Sequence, residues 1–436
     1  MPIRLDRLDA VNVLTLYLIL LLGIPSRLIV EPLGAAGSPA SLVGLFCAIW
    51  WAWDKLRGAN DGRTVGNRPV RRWAAAVLLA FVASYYVAAT RPINPDELST
   101  ADIGMLSLIG WLGVLLLAND GIDDPARLRA LLRRVSVAGG LVGLLGLVQF
   151  ITGRAFVDLL QIPGLTSNTA IFGVAERNGF NRPAGTSIHA IEFSVVITMI
   201  LPLAITLATQ RDGRTAIARW WPVAAMVAVI PLAISRSAIV GAFIGFMVLL
   251  PSLNQRVRGL VLMGATAAAI GTFIAVPGLL GSLGRLFINI GDDDSARSRT
   301  DSYGLVWEYF LRSPLFGRGY STFLPAHRIL DNQYLLLLMD VGLIGLLAII
   351  GLVASGMAAG IGSRRSAMNP RIAELGQSVA ASIAVGAVGL ALFDAFSFPM
   401  AVGLLMLCIG LAGNLRHHVD SRFDVSHFVS NLERLR

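Results

Sequence analysis

Charge is scarce in this 436-residue chain, of which only 14% is charged and 55% is hydrophobic. Because a soluble domain carries about 25% charged residues, this composition excludes an ordinary soluble protein. Histidine and cysteine are also rare, with five and two residues. Both cysteines, Cys47 and Cys408, lie in apolar stretches, which excludes a disulfide framework and indicates packing. No cluster of Cys, His and Asp has the spacing of metal ligands, so we expect neither a metal nor another cofactor.

Lysine is almost absent, since Lys55 is the single lysine among 36 basic residues. The arginines are spread over many loops and form no basic domain. The net charge of +9 therefore does not indicate a nucleic-acid partner.

Long apolar runs dominate the chain instead. A bilayer core needs about 20 apolar residues per helix. Twelve runs qualify, and they predict an all-α, polytopic membrane protein that forms one integral membrane domain over 1–436. We expect the first run to be a retained helix, because no small-residue cleavage site follows it. The runs are 11–30, 38–53, 73–90, 101–118, 135–152, 187–209, 220–234, 237–251, 259–276, 333–361, 375–393 and 400–413.

The basic residues predict the orientation of these helices. With the N-terminus inside, 24 of the 36 basic residues fall on inside segments, so both termini are predicted to be cytoplasmic. Two external segments are then long, 153–186 and 277–332. In the second, SYGLVWEYFLRSP predicts a short helix that ends at Pro314, and FGRGY predicts a glycine turn.

Five external arginines attract attention. Arg182 lies in FNRPAGTSIHAIEF, and Arg236 lies in ISRSAIV between two apolar runs. Each is either a snorkelling arginine or part of a clamp on an anion, because guanidinium binds phosphate oxygens in bidentate fashion. Arg297 and Arg299 in DDDSARSRT and Arg318 in FGRGY either add to that positive field or are solvated loop charges.

The tenth run opens with polar residues, in RILDNQYLLLLMDVGLIGL. Asp331 and Asn332 are both good helix N-caps, but capping explains only one of them, and Gln333 can be the first helical residue. The functional alternative makes Asp331 a base or orienting group that faces the arginines, with Asn332 bonded to substrate. A helix N-terminus also favours an anion such as a pyrophosphate.

Other polar residues lie in or near apolar runs. Glu192, Asp340 and Asp394 are either structural hydrogen-bonding groups or parts of a polar cavity. His189 and His327 are the two external histidines, and neither belongs to a zinc-type cluster.

Several of these segments resemble one known family. SRSAIVGAFIGFMVLL is similar to the SRSA-type helix of the O-antigen ligase and O-antigen polymerase superfamily. The segment from Trp307 through RSPLFGRGYSTF to DNQYLLLLMDVGLIGLL resembles its hallmark region, and NRPAGTSIHAIEF resembles its external Arg-x-x-Gly segment. In order along the chain, these patterns cover about 180–360.

The resemblance implies a membrane glycosyltransferase of GT-C-like helical fold, with a long external loop containing short helices between helices 9 and 10. Its donor would be a glycan on undecaprenyl pyrophosphate at the outer face of the bacterial inner membrane. Ligases of the family pass the glycan to lipid A-core, and polymerases pass it to the next lipid-linked repeat of a lipopolysaccharide or exopolysaccharide. The implied reaction is inverting and metal-independent. A flippase and a chain-length regulator are implied candidate partners, besides the bilayer.

The resemblance also assigns roles to residues. Arg182 and Arg236 would bind the pyrophosphate, and Asp331 would activate the acceptor hydroxyl. Ligases typically carry histidine at the position of Asp331, so the departure favours a polymerase over a ligase. The aromatic residues of the large loop would stack on sugars or form a membrane-interface belt. The candidate substrate-binding residues are Asn332, Arg318, Arg299, Arg297, Trp307, Tyr320, His189 and His327.

A twelve-helix secondary transporter is the competing interpretation. The loop 54–72 loosely resembles the basic glycine loop of major facilitator proteins. The 56-residue external loop and the lack of visible similarity between the two halves count against transport.

Overall fold

The computed structural model describes residues 9–58, 68–169, 173–177, 179–278, 281 and 294–434, with 294–301 and 421–434 described by their backbone alone. These residues are overwhelmingly helical, which confirms the all-α prediction. The helices are α1 (Ala10–Gly23), α2 (Pro39–Gly58), α3 (Pro69–Ala89), α4 (Pro95–Asp120), α5 (Pro125–Thr152), α6 (Ala190–Thr209), α7 (Ala216–Val229), α8 (Arg236–Leu249), α9 (Gln255–Ala275), α10 (Asp294–Arg312), α11 (Gln333–Asp340), α12 (Gly342–Ser366), α13 (Pro370–Leu392) and α14 (Pro399–Arg434).

Length and composition make this a multi-pass membrane protein. Among the described residues, nine helices are long and apolar enough to cross a membrane. A tenth is added if Glu31–Gly37 and Pro39–Arg57, which meet at 73°, form one broken span. Each of the twelve predicted runs overlaps a helix, but those at α1 and α8 form shorter apolar helices. The predicted count of twelve crossings is therefore not confirmed.

Helix α6 forms the centre of the bundle and packs against α5, α7, α8 and α13. It is apolar on all sides, as expected of a fully enclosed helix, and every side chain from Phe193 to Ala208 is buried. Helix α9 is peripheral, with Thr272 its one buried residue. Small residues allow close helix contacts elsewhere: a Cβ at Gly113 of α4 would lie 2.5 Å from a backbone oxygen of α2.

The prediction of one helix over 333–361 is wrong, because the chain breaks between α11 and α12. Gly342 has a φ of +65°, and a Cβ there would lie 2.5 Å from the carbonyl of Leu315. Glycine is therefore needed for both its conformation and its small size. The N–H of Leu343, in the first turn of α12, donates to the carbonyl of Pro314 at 2.9 Å. The chain around FGRGY thus packs into the break and satisfies helix-end donors.

Two other predictions for the large external segment are confirmed. Helix α10 ends at Arg312, two residues before Pro314. The FGRGY stretch is a turn with two left-handed glycines, Gly317 at φ +71° and Gly319 at φ +126°.

The external segment 153–186 contains short strands that the sequence analysis did not anticipate. Strand β1 (Leu28–Ile29) pairs antiparallel with β2 (Thr166–Ser167), and β3 (Ala175–Arg177) pairs antiparallel with β4 (Phe180–Arg182). Both pairs lie near the end of the bundle at which α6 begins, and β4 places Arg182 at that end.

Candidate active site

Arg182 lies where β4 turns into the segment that leads to α6. Gln149, near the end of α5, holds this segment: its Oε1 accepts from the N–H groups of Ala184 at 3.2 Å and Gly185 at 2.7 Å. With the backbone fixed in this way, the Arg182 side chain points inward and is only 8% exposed. Its Nε donates to the carbonyl oxygen of Ala233 at 3.1 Å.

Arg236 is the first residue of α8 and lies three residues beyond that carbonyl. The chain between them is strained, because Ile234 has a φ of +45°, which a β-branched side chain rarely adopts. The hydrogen bond from Arg182 to Ala233 braces this turn. The structure therefore brings Arg182 to the turn that positions Arg236, although the two are far apart in sequence.

Arg182 retains unused hydrogen-bonding capacity. Its Nη2 is buried and has no hydrogen-bond partner among the described residues. Burial, together with the charge of Arg177 on β3, lowers the pKa of Arg182 to about 10, so the group stays charged at neutral pH. A buried, charged N–H donor of this kind is suited to an anionic oxygen.

His189 caps the N-terminus of α6 beside these arginines. Its Nδ1 accepts from the N–H of Ile191 at 3.1 Å. Burial and the charges of Arg182 and Arg177 lower the pKa of His189 to about 4, so the ring is neutral at pH 7. Because Nδ1 is an acceptor, the neutral ring carries its proton on Nε2 and presents a hydrogen-bond donor.

At the start of α11 the structure shows which of Asp331 and Asn332 caps the helix, a choice that the sequence left open. Asn332 is the N-cap, and its Oδ1 accepts from the N–H groups of Tyr334 and Leu335 at 3.0 and 3.2 Å. Gln333 is the first helical residue, as predicted, and its Oε1 accepts from the N–H of Phe396 at 2.8 Å. Capping thus uses the Asn332 oxygen, and Asp331 is left with no capping role.

Asp394, in the connection between α13 and α14, lies close enough to Asp331 to interact with it electrostatically. Burial raises the pKa of Asp394 to about 6, and the neighbouring charge of Asp331 contributes to the rise. Both carboxylates are half-buried. A carboxylate whose pKa is raised toward neutrality is suited to accept a proton.

The connection that carries Asp394 also reaches the arginine side. The ring of Phe398 lies 6.4 Å from that of His189 and 5.3 Å from that of Phe393. The structure thus gathers arginines and carboxylates at one end of the bundle. We call this set the outer site; it consists of Arg177, Arg182, His189, Arg236, Asp331 and Asp394.

Two embedded acids have structural roles. Glu192 accepts from the N–H of Ile188 at 3.1 Å and from that of Met400 at 2.8 Å, so it ties the start of α6 to the start of α14. Asp340 accepts from the N–H of Ser321 at 3.1 Å and so holds the FGRGY turn. Within the described part of the chain, no three His, Cys, Asp or Glu side chains could hold a metal ion together.

Arg318 and His327 meet at an acid that sequence reasoning missed. Nη2 of Arg318 lies 2.9 Å from both carboxylate oxygens of Glu97, and His327 Nε2 lies 3.7 Å from the same carboxylate. The guanidinium of Arg318 also lies over the rings of Tyr309 and Phe323. Arg318 is thus paired with a protein carboxylate and His327 lies near it, which no spacing pattern would have indicated.

The predicted aromatic contacts differ in exposure. Trp307 is 58% exposed on α10, available to a sugar or to the membrane surface. Tyr320 is 4% exposed and packs edge-on against Phe81 at 4.6 Å, so its burial argues against the predicted sugar contact. Arg297 and Arg299 lie on α10, but their side chains fall outside the described residues.

An apolar groove of about 860 Å³ begins beside the outer site. Helices α6 to α9 line it, and it extends along their length from the turn at Ile230 and Pro231. That turn leads directly to Ala233, the acceptor of the Arg182 hydrogen bond. One short turn therefore connects the buried Arg182 to an apolar groove of lipid-chain size.

Comparison with known families identifies the segment at the centre of this geometry. Residues 221–350 match the O-antigen ligase family model. The resemblance inferred from the sequence is thereby confirmed over these residues, and that family comprises membrane enzymes that transfer glycans in polysaccharide biosynthesis. The matched segment contains Arg236, Asp331 and most of the groove, while Arg182, His189 and Asp394 lie outside it. No curated protein matches the chain.

Proposed function

We propose that this protein is a polysaccharide polymerase that transfers glycan from an undecaprenyl-pyrophosphate donor to an acceptor sugar hydroxyl. The reaction would take place at the outer face of the bacterial inner membrane, with both termini cytoplasmic and a GT-C-like arrangement of helices. The observation that carries the proposal is the hydrogen bond from Arg182 to Ala233. It joins an anion-binding arginine to the turn that starts both α8 and the apolar groove, inside an O-antigen ligase domain.

In this proposal the arginines act on the leaving group. The acceptor oxygen forms a bond to the anomeric carbon while the bond from that carbon to the pyrophosphate oxygen breaks. Negative charge then develops on the pyrophosphate, where Arg182 and Arg236 stabilise it. The Nε2–H of His189 supplies a neutral donor on the same side. A good leaving group held by fixed cations needs no metal ion.

The carboxylates act on the nucleophile. The hydroxyl proton passes to the Asp331–Asp394 pair. With a pKa of about 6, Asp394 is mostly ionised at neutral pH and can accept that proton. An inverting displacement requires attack from the face opposite the leaving group. In this proposal the arginines would contact the leaving group and the carboxylates the acceptor on the opposite face.

The groove would hold the polyprenyl tail of the donor. Its lining is almost wholly apolar, and its start at Pro231 places a lipid chain next to the pyrophosphate position. Trp307 and its neighbours on α10 would contact the glycan.

Ligation to lipid A-core is the second candidate, because the matched family model carries the description O-antigen ligase. Aspartate at the position where ligases typically carry histidine favours polymerisation. A secondary transporter is the remaining alternative.

A deletion strain, its complemented parent and an Arg236→Ala strain test the proposal by gels of surface and lipid-linked glycans. Polymerase activity predicts loss of the long ladder with single repeats still attached to their carrier. Loss of all attached glycan, with lipid-linked polymer accumulating, would indicate ligation, and an unchanged pattern in the deletion strain would overturn glycan transfer. The control is Arg154→Ala, an exposed arginine of the same external segment.

A further inference from the structure

A second group of arginines lies at the end of the bundle opposite the outer site. Helix α5 reaches the outer site at Gln149, and α6 begins there at His189, so the start of α5 and the end of α6 are at the other end. The group is drawn from the first turns of α5, the α6–α7 connection and the start of α13. We call it the inner arginine cluster, and it consists of Arg129, Arg133, Arg214 and Arg371.

One carboxylate lies among these arginines. Asp212 accepts from Nε of Arg214 at 2.9 Å, and its Oδ2 lies 3.6 Å from Nη2 of Arg133. Arg129 lies close enough to interact electrostatically with Asp212 and with the other three arginines. Four guanidinium groups against a single carboxylate leave a local excess of three positive charges.

Nearby groups do not remove this excess. Glu374 accepts from Nε2 of Gln210 at 2.8 Å, and because that donor is neutral the carboxylate keeps its charge and offsets one of the three, so two positive charges remain in excess. Arg371 donates from Nη2 to the carbonyl of Arg211 at 3.3 Å, a long bond to a neutral acceptor.

Several donors of the cluster are buried and unsatisfied. Nε and Nη2 of Arg129 and Nε of Arg133 have no hydrogen-bond partner among the described residues. Arginines that merely follow the positive-inside rule extend separately into water. Here the guanidinium groups converge from three elements onto a shared space, and buried charged donors require acceptors.

A polar cavity adjoins the cluster. It has a volume of about 240 Å³, and its charged lining consists of Arg211, Arg371 and Glu374, at the ends of α6 and α13. It opens at the helix ends, where the headgroups of a bilayer would lie.

We propose that the inner arginine cluster is a binding site for a phosphate group, presented by the headgroup of an anionic phospholipid or by a soluble phosphate compound. A phosphate offers several charged acceptor oxygens, which match the fork of guanidinium donors better than a single carboxylate does. Basic pockets between membrane helices bind anionic headgroups in this way. The site is independent of the glycan-transfer chemistry at the outer end.

Native mass spectrometry and equilibrium binding on the purified full-length protein test this site. The probes are phosphatidylglycerol, phosphatidylcholine and inorganic phosphate at equal ionic strength. The variants are Arg129→Gln and Arg371→Gln. The matched control is Arg365→Gln, which removes one charge from an exposed position at the same end of the bundle.

We expect the wild type to retain phosphatidylglycerol in preference to phosphatidylcholine, with affinity about tenfold weaker in each cluster variant and unchanged in the control. Competition by inorganic phosphate with the same variant dependence would identify the soluble compound as the ligand. Equal binding by the wild type and both variants would overturn the proposal. If neither variant folds, the wild type decides: lack of preference for phosphatidylglycerol together with no binding of phosphate would also overturn it.

Discussion

Replacing Asp394 with asparagine should remove a pH dependence from both stability and activity. Burial raises the pKa of Asp394 from its ordinary 3.8 to about 6, with a contribution from Asp331. The folded protein therefore favours the protonated carboxyl more than the unfolded chain does. The stability associated with this group is fully present below pH 3.8, falls as the pH rises to about 6, and is constant above that.

The magnitude follows from the size of the pKa change. Each unit of pKa corresponds to about 1.4 kcal/mol, so the full effect would be about 3 kcal/mol. Asp394 is half-buried, and solvent screening reduces this figure to about 1–2 kcal/mol. Asp394→Asn, which stays neutral, should therefore be more stable than the wild type by about 1–2 kcal/mol above pH 6.5 and equal to it near pH 4.

The activity should change in the opposite sense. If the Asp331–Asp394 pair accepts the hydroxyl proton, the wild-type transfer rate should rise about tenfold per pH unit below pH 6 and level off above it. Asp394→Asn should lose most of its activity while gaining stability at neutral pH.

Thermal unfolding in detergent and transfer assays with lipid-linked donor, both from pH 4 to 8, measure the two effects. Asp96→Asn, at an exposed carboxylate in the first turn of α4, is the control. Parallel stability curves for the wild type and Asp394→Asn would refute the burial argument, and full activity of the variant at neutral pH would refute the proton-acceptor role.

Three further variants test other parts of the structure. Arg182→Ala should lower the transfer rate about 10²–10³-fold by removing an electrostatic donor, whereas Arg154→Ala should keep the wild-type rate in the same purified assay. Glu97→Gln should cost about 1–2 kcal/mol of unfolding free energy in denaturant titrations, because it removes the charged partner that the half-buried Arg318 shares with Arg91; an unchanged midpoint would contradict this. Gly342→Ala should destabilise by more than about 1–2 kcal/mol because of its positive φ and its close backbone contact, while Gly264→Ala, which meets open space on α9, should be neutral or slightly stabilising in the same thermal assay.

Hydropathy was sufficient to locate the helices, because a helix that crosses a bilayer needs a run of about 20 apolar residues. Hydropathy could not predict the break before Gly342. That break depends on a close backbone contact with Leu315, which lies outside the apolar run and leaves no trace in its hydropathy. Nor could hydropathy fix the number of crossings, since short apolar helices such as α1 and α8 satisfy composition but not length.

The sequence indicated which residue types form the candidate site, but not which residues contact one another. The position of Asp331 and Asn332 before an apolar run indicated that one of them caps the helix. Only the backbone geometry shows that the cap is Asn332. Arg182 was a candidate because it lies just before an apolar run. Its hydrogen-bond acceptor, the carbonyl of Ala233, is distant in sequence and comes near only in the folded chain. Asp394 was visible as an embedded acid, but its pairing with Asp331 required the α13–α14 connection to be placed.

The ion pair at Glu97 changes how the external positive charge should be understood. Arg318 was expected to add to the field around the donor, but both oxygens of Glu97 lie 2.9 Å from its Nη2, and this carboxylate, which also lies 3.4 Å from Nη2 of Arg91, partly neutralises the charge of Arg318. Neutralisation shifts the attraction for a pyrophosphate toward Arg177, Arg182 and the turn before Arg236. Arg182 has only a backbone carbonyl as its observed acceptor, so its charge is not cancelled by that contact. The FGRGY turn is therefore better understood as a fixed support beside the site, and the arginines near the start of α6 and α8 as the part that recognises the anion.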